Sequence, residues 1–136
     1  MTGPPKKPDI VRLWVEKAEH DLLNIENNLT ASHVPWDTVC FHAQQGAEKY
    51  LKALLTQYGV VFPKIHDLTE LVALIPADAR PALPPGILEG LNPYAIETRY
   101  PGVWEPIERD EALRAVAAVR LVRDAVRPLL SPIVLP

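Results

Sequence analysis

The chain is short of the residues that carry most familiar protein chemistry. It has one cysteine, Cys40, and two serines, Ser32 and Ser131. A lone cysteine excludes an intrachain disulfide. Neither serine sits in a hydrolase elbow. Cys40 falls on the apolar side of a predicted helix, where its expected role is inert packing. The six glycines are scattered and form no phosphate-binding loop. The four histidines, His20, His33, His42 and His66, show neither i,i+4 pairing nor cysteine neighbours, so no metal and no cofactor are expected. No apolar run reaches the length of about 18 residues that a membrane span needs. Lys6 and Lys7 are followed by no apolar h-region, so a secretory signal is not expected and the cytoplasm is the expected location. The net charge of −3 argues against a general nucleic-acid coat, but it leaves room for a local basic patch.

What remains is a helical pattern. The chain has 136 residues, 48% of them hydrophobic, enough for one domain with a core of its own. Val11, Trp14, Val15, Ala18, Leu22, Ile25 and Leu29 share an arc of roughly 100° on one helix. Leu13 and Leu23 lie off that arc and offer a second contact surface, while His20 points to solvent. A second helix runs from Trp36 to Tyr58, with Asp37 or Ser32 as its cap and Gly59 as its stop. Its apolar stripe is Trp36, Val39, Cys40, Ala43, Ala47, Tyr50, Leu51 and Leu54. Its opposite side carries Thr38, His42, Gln45, Lys49 and Lys52. Asp67-Leu68-Thr69-Glu70 has the spacing of a capping box and opens a short helix that Pro76 ends. A proline-rich loop spans Ala77 to Gly86, and Ile87 to Tyr94 form another short helix kinked at Pro93. A long helix runs from Glu108 to about Arg127, with apolar residues nearly all round, as in a helix packed on two sides. No period-two alternation competes with these helices. The expected fold is an all-α, up-and-down bundle of three long helices, with shorter ones between the second and the last. Residues 9–130 form the domain, with 1–8 and 131–136 as extended tails.

Three fragments carry a family resemblance. The first is Phe41-His42-Ala43-Gln44-Gln45 with Ala47-Glu48-Lys49 and Leu51-Lys52-Ala53. The second is His66-Asp67-Leu68, and the third is Arg99-Tyr100-Pro101. In this order and at this spacing, the stretch from about Val11 to Leu130 resembles a HEPN domain (higher eukaryotes and prokaryotes nucleotide-binding). The resemblance implies a helical bundle that often dimerises, here a homodimer. It also implies a nucleotide- or RNA-binding module, commonly paired with a separate small nucleotidyltransferase in a toxin–antitoxin-like system. Many members resemble metal-independent RNases. These carry an arginine followed, after four to six residues, by a histidine. That motif is absent here. Seven residues separate Arg12 from His20, and Arg80 and all later arginines precede no histidine. Enzymatic activity is therefore left open.

Two readings stand for each candidate site. Metal-free RNA cleavage needs a base, an acid and a cation on the phosphate. His66 and Arg99 are the weak catalytic candidates. As a nucleotide-binding site, His66 and Asp67 open a helix whose free N–H groups favour anions, with Arg99 on the phosphate and Tyr100 stacked on the base. The plain alternative has His66 fixing the helix start and Arg99 pairing with Asp67. The stripe His42, Gln45, Lys49 and Lys52 is a phosphate or partner face, or an ordinary solvated face with a Glu48–Lys52 pair. Arg120, Arg123 and Arg127 suit the negative end of their helix. A purely structural protein-interaction subunit, using the exposed leucines, is the remaining alternative.

Overall fold

The structure is a computed structural model that describes residues 7–96 and 105–135. It is all-helical, as the patterning predicts. The helices are α1 (Lys7–Leu29), α2 (Trp36–Gln57), α3 (Leu68–Leu74), α4 (Ile87–Leu91) and α5 (Arg109–Val126). Short 3-10 turns sit at Ala77–Ala79, Asn92–Ala95, Arg127–Leu129 and Pro132–Val134.

The centre of the bundle is α2, which packs against α1, α3, α4 and α5. Thirteen of its 22 residues are buried, which is why its stripe had to be apolar over most of its circumference. It runs antiparallel to α1: the Lys7 ammonium reaches the Gln57 carbonyl near one end, and Asp21 meets His42 nearer the other. It runs parallel to α5, so that Gly46 lies beside Val119 and Tyr50 beside Arg127. The short helices α3 and α4 occupy the return between them.

Local chemistry explains the ends. Gly59 takes φ +71°, a left-handed conformation that costs glycine little. The Gly59 N–H donates to the Thr56 carbonyl and the Val60 N–H to the Leu55 carbonyl, completing a Schellman stop. The start of α2 departs from expectation. Pro35 occupies the N-cap, and neither Ser32 nor Asp37 caps the helix; Asp37 instead accepts from the Thr38 N–H. Asp110 and Glu111 in the first turn of α5, and Arg123 in the last, sit where the helix dipole favours them.

Residues 1–6 and 136 of the expected tails lie outside the described residues; the described parts of the tails are not extended. Lys7 and Pro8 already belong to α1. Residues 131–135 fold back as a turn that buries Val134 against α1, because Val134 completes the apolar face around Val11 and Val15. The Arg12 guanidinium ties this turn down through the Ile133 carbonyl.

The arginines of α5 do more than face a dipole. Arg123 holds Glu19 of α1 through its Nε and Nη2, the latter at 2.9 Å. Glu19 also accepts from the buried Tyr50 hydroxyl at 2.7 Å, and Arg127 approaches both. Arg120 pairs with Glu26. The result is a polar clamp between α1 and α5, with Tyr50 of α2 inside it. Burial, and then the neighbouring Glu19, push the Tyr50 hydroxyl up to about 12. Burial alone would raise the Glu19 carboxyl, but hydrogen bonds from Arg123 and Tyr50 and the two guanidinium charges outweigh it. They hold Glu19 below its ordinary value of 4.5.

Two outcomes follow from this packing. A Cβ at Gly46 would stand 3.2 Å from the Val119 side chain and 3.7 Å from the Ala18 carbonyl. Gly46→Val therefore overpacks the junction of three helices and should lower stability by about 1–3 kcal/mol in urea melts. Because the Glu19 pKa is lower folded than unfolded, the clamp contributes fully above the unfolded value and is lost as pH falls through the folded one. Glu19→Gln should flatten the acid-side loss of stability. Equal slopes for the two proteins below about pH 5 would refute the clamp.

Candidate functional site

Among the described residues, four polar or charged side chains are buried: Asp21 on α1, and Gln44, Glu48 and Lys52 on α2. Burying a carboxylate is costly unless it is paired and hydrogen-bonded. Each of these two carboxylates is paired, and each holds a histidine.

The first cluster centres on Glu48. Its Oε2 accepts from Lys52 Nζ at 3.0 Å, and its Oε1 accepts from Gln44 Nε2 at 3.2 Å. His66 Nδ1 lies 3.0 Å from the same Oε1. Gln44 also donates to the His66 carbonyl at 3.0 Å, and Gln45 Nε2 donates to Gln44 Oε1 at 2.7 Å. The Lys52 ammonium stands 5.6 Å from the Trp14 ring centre and 5.8 Å from that of Phe62, a cation–π setting that helps an ammonium leave water. The outcome is asymmetric. The Glu48 side chain is 5% exposed, whereas that of His66 is 65% exposed. A carboxylate only accepts, so the Nδ1 facing it carries a proton. In the neutral form of the ring, the lone pair is then on Nε2.

The second cluster centres on Asp21. Its Oδ1 lies 2.7 Å from His42 Nδ1, and its Oδ2 accepts from Lys49 Nζ at 2.6 Å. Here too the carboxylate is interior and the imidazole reaches toward the surface.

The candidate residues sort as follows. Asp67 is adjacent to His66 but does a different job. It is the N-cap of α3, accepting from the Thr69 and Glu70 N–H groups, while Asn92 Oδ1 takes the Leu68 N–H. The Thr69 hydroxyl, and then the Glu70 N–H, hold the Asp67 carboxyl below the ordinary aspartate range. The first three amide donors of α3 are thus occupied, which corrects the expectation that they are free for an anion. Arg99 and Tyr100 lie outside the described residues, and with them the expected convergence with His66. Of the α2 stripe, His42 and Lys49 meet at Asp21, and Gln45 joins the His66 cluster through Gln44. Lys52 leaves the surface. The Glu48–Lys52 pair forms at the expected spacing, but it is interior, because Trp14 of α1 and Phe62 of the α2–α3 connection cover it.

Sequence reasoning passed over Asp21, Gln44 and Glu48 as site residues. Asp21 had a legible signal: it falls three residues after Ala18 and four before Ile25, at the edge of the apolar arc of α1. An acid there needs a partner. Away from these clusters, a groove of about 390 Å³ runs between α1 and α5, lined by Leu22, Leu23, Glu26, Arg120 and Asp124 among others. Leu13 and Leu23 are exposed, as expected. No described helix is long and apolar enough to cross a membrane.

The sequence profile of the HEPN domain family matches residues 11–129. Two solved structures are similar. One is TT1696 from Thermus thermophilus, 30% identical, with 88% of this chain and 94% of that chain covered and a TM-score of 0.64. The other is ST0689, an archaeal HEPN homologue, 23% identical, with 88% and 98% covered and a TM-score of 0.64. No curated protein matches the chain.

Removing Glu48 tests the first cluster. Glu48→Ala leaves the Lys52 ammonium, 9% exposed, without its counter-ion. It should destabilise the protein by about 3–5 kcal/mol in chemical denaturation, and adding Lys52→Met should recover much of that loss. A cost below about 1 kcal/mol would mean that the pair is solvated.

Proposed function

The chain belongs to the HEPN domain family, and on that premise we propose that it is a nucleotide- or RNA-binding module centred on His66, working as a homodimer beside a separate small nucleotidyltransferase. The observation that carries this reading is the exposed imidazole of His66, anchored through Nδ1 to buried Glu48. Such anchoring fixes the ring orientation before a ligand arrives and lowers the ordering cost of binding. Arg99 and Tyr100 belong to the same reading, as the phosphate and base contacts.

The carboxylate–imidazole arrangement also favours a second reading. A ring whose Nδ1 is held by a carboxylate has its Nε2 oriented to take a proton from a hydroxyl, which is the first step of metal-independent RNA cleavage. In that reading His66 is the base and Arg99 the phosphate cation. The family's arginine–histidine motif remains absent, so the chemistry would be that of a diverged RNase.

Saturating ATP, GTP or a short RNA should raise the melting temperature of the wild-type protein by several degrees. His66→Ala should lose that shift and cost no more than about 3 kcal/mol of its own stability, because the variant loses one hydrogen bond to the buried carboxylate while Gln44 still donates to the same Glu48 oxygen. A melting temperature indifferent to all three ligands would remove the binding reading. RNA incubated with and without chelator decides the second: cleavage that survives His66→Ala and Arg99→Ala, or no cleavage at all, rejects it. Co-purification from the native host tests the nucleotidyltransferase pairing.

A further inference from the structure

One face of α1 carries an apolar recess that the bundle leaves open. Ile10, Leu13, Trp14 and Lys17 line it, around a volume of about 210 Å³. These positions follow one another at three- and four-residue spacing, so they share a helix face. Leu13 is 51% exposed, and Ile10 and Trp14 are half-buried. The indole is held in place. Its ring lies 6.4 Å between centres from Phe62 of the α2–α3 connection, and the interior Lys52 ammonium stands 5.6 Å from it. Val61, which precedes Phe62 in that connection, is 95% exposed.

The charges at the two ends of this row have one sign. Lys17 lines the recess, and Lys7 lies one turn before Ile10, where it donates to the Gln57 carbonyl. Among the described residues, the lysines that pair with a carboxylate are Lys49 and Lys52; Lys7 and Lys17 do not. Asp9 is held by Arg12, and Glu16 lies roughly 100° round the helix from Lys17; neither lines the recess. The two lysines are rooted about 15 Å apart along the axis, with the apolar side chains between them. A recess of this size falls below the small-molecule range of about 300–1,000 Å³, and suits one large apolar side chain. A second copy laid on the same patch would set lysine against lysine. Nucleic acid is held through many phosphate contacts, and two lysines beside an aliphatic recess offer few. A bilayer surface holds a helix with a long apolar face, whereas this one is short and concave.

We propose that this recess is a docking site for a protein partner, and that it takes a segment bearing one large apolar side chain between two acidic groups about 15 Å apart. The apolar side chain packs on Leu13 and Trp14, and the carboxylates meet Lys7 and Lys17. Trp14 supplies the anchoring contact area, as buried aromatics do at interfaces. Its ring is already fixed by Phe62 and Lys52, which lowers the ordering cost of docking. The site is separate from His66 and stands whatever that residue binds.

The test pans a displayed library of random peptides against the 136-residue chain. Peptides of about 16 residues are long enough to span the row as a helix. The enriched sequences should share an apolar anchor with acids on both sides. A labelled peptide of that consensus should bind in fluorescence anisotropy, more weakly as salt rises. Leu13→Gln should weaken binding about tenfold or more, and Lys17→Glu about three- to tenfold. Replacing one of the peptide's acids by lysine should restore affinity for Lys17→Glu. His66→Ala should bind the peptide as the wild type does. Leu13 and Lys17 are exposed, so neither substitution disturbs the fold. Failure to enrich any sequence, a consensus without acids, or peptide affinity unmoved by both variants overturns the proposal. In that last case the same two variants, assayed with oligouridylate, phosphatidylserine vesicles and by oligomeric state, would reassign the recess to RNA, a membrane or a second copy.

Discussion

A buried carboxylate must find partners, and in this protein that demand organises everything around α2. Asp21 and Glu48 are held inside a small bundle, where an unpaired charge would cost several kcal/mol. Each resolves the problem in the same manner. One lysine of α2 neutralises it, and one histidine nitrogen satisfies the remaining oxygen. The histidines are thereby fixed in tautomer and direction. The hydrogen bonds that folding requires are the same ones that orient the two imidazoles.

These clusters also join the elements. Asp21 belongs to α1 and its partners to α2; Glu48 belongs to α2, and His66 precedes α3. The polar residues of the best-matching fragments thus connect the central helix to its neighbours on two sides. Close packing makes this possible. Gly46 lets α1 and α5 approach α2 at one level, which brings Asp21 within reach of both His42 and Lys49. On the far side of α1, the Glu19 clamp with Arg123, Arg127 and Tyr50 fixes the same helix against α5. With α1 tied on both flanks, Asp21 has little room to move, and the orientation of His42 inherits that restriction.

Much of the fold was legible before any coordinates. The 3.6-residue stripe of α1, the Gly59 stop, the Asp67 cap and the break at Pro76 each act through contacts a few residues apart, so local sequence contains their cause. The start of α2 was not legible, because a cap depends on backbone direction, and Pro35 takes the position that Ser32 or Asp37 suggested. The C-terminal segment was misread as an extended tail, because its anchors, buried Val134 and the Ile133 carbonyl held by Arg12, find their partners on α1, more than a hundred residues away.

The candidate site divides along the same line. By itself the sequence determined an all-helical bundle, the family, and the presence of His42, Lys49 and His66 at meaningful spacings. Only the tertiary structure decided which of these groups meet water. Lys52 looked like a surface lysine and is interior, and Asp21, passed over in the sequence, is an anchor. The physical reason is distance along the chain. Periodicity, caps and the Glu48–Lys52 pair are written in neighbours three or four residues apart, but Asp21 and Glu48 meet their histidines 21 and 18 residues away, and no local pattern names those partners.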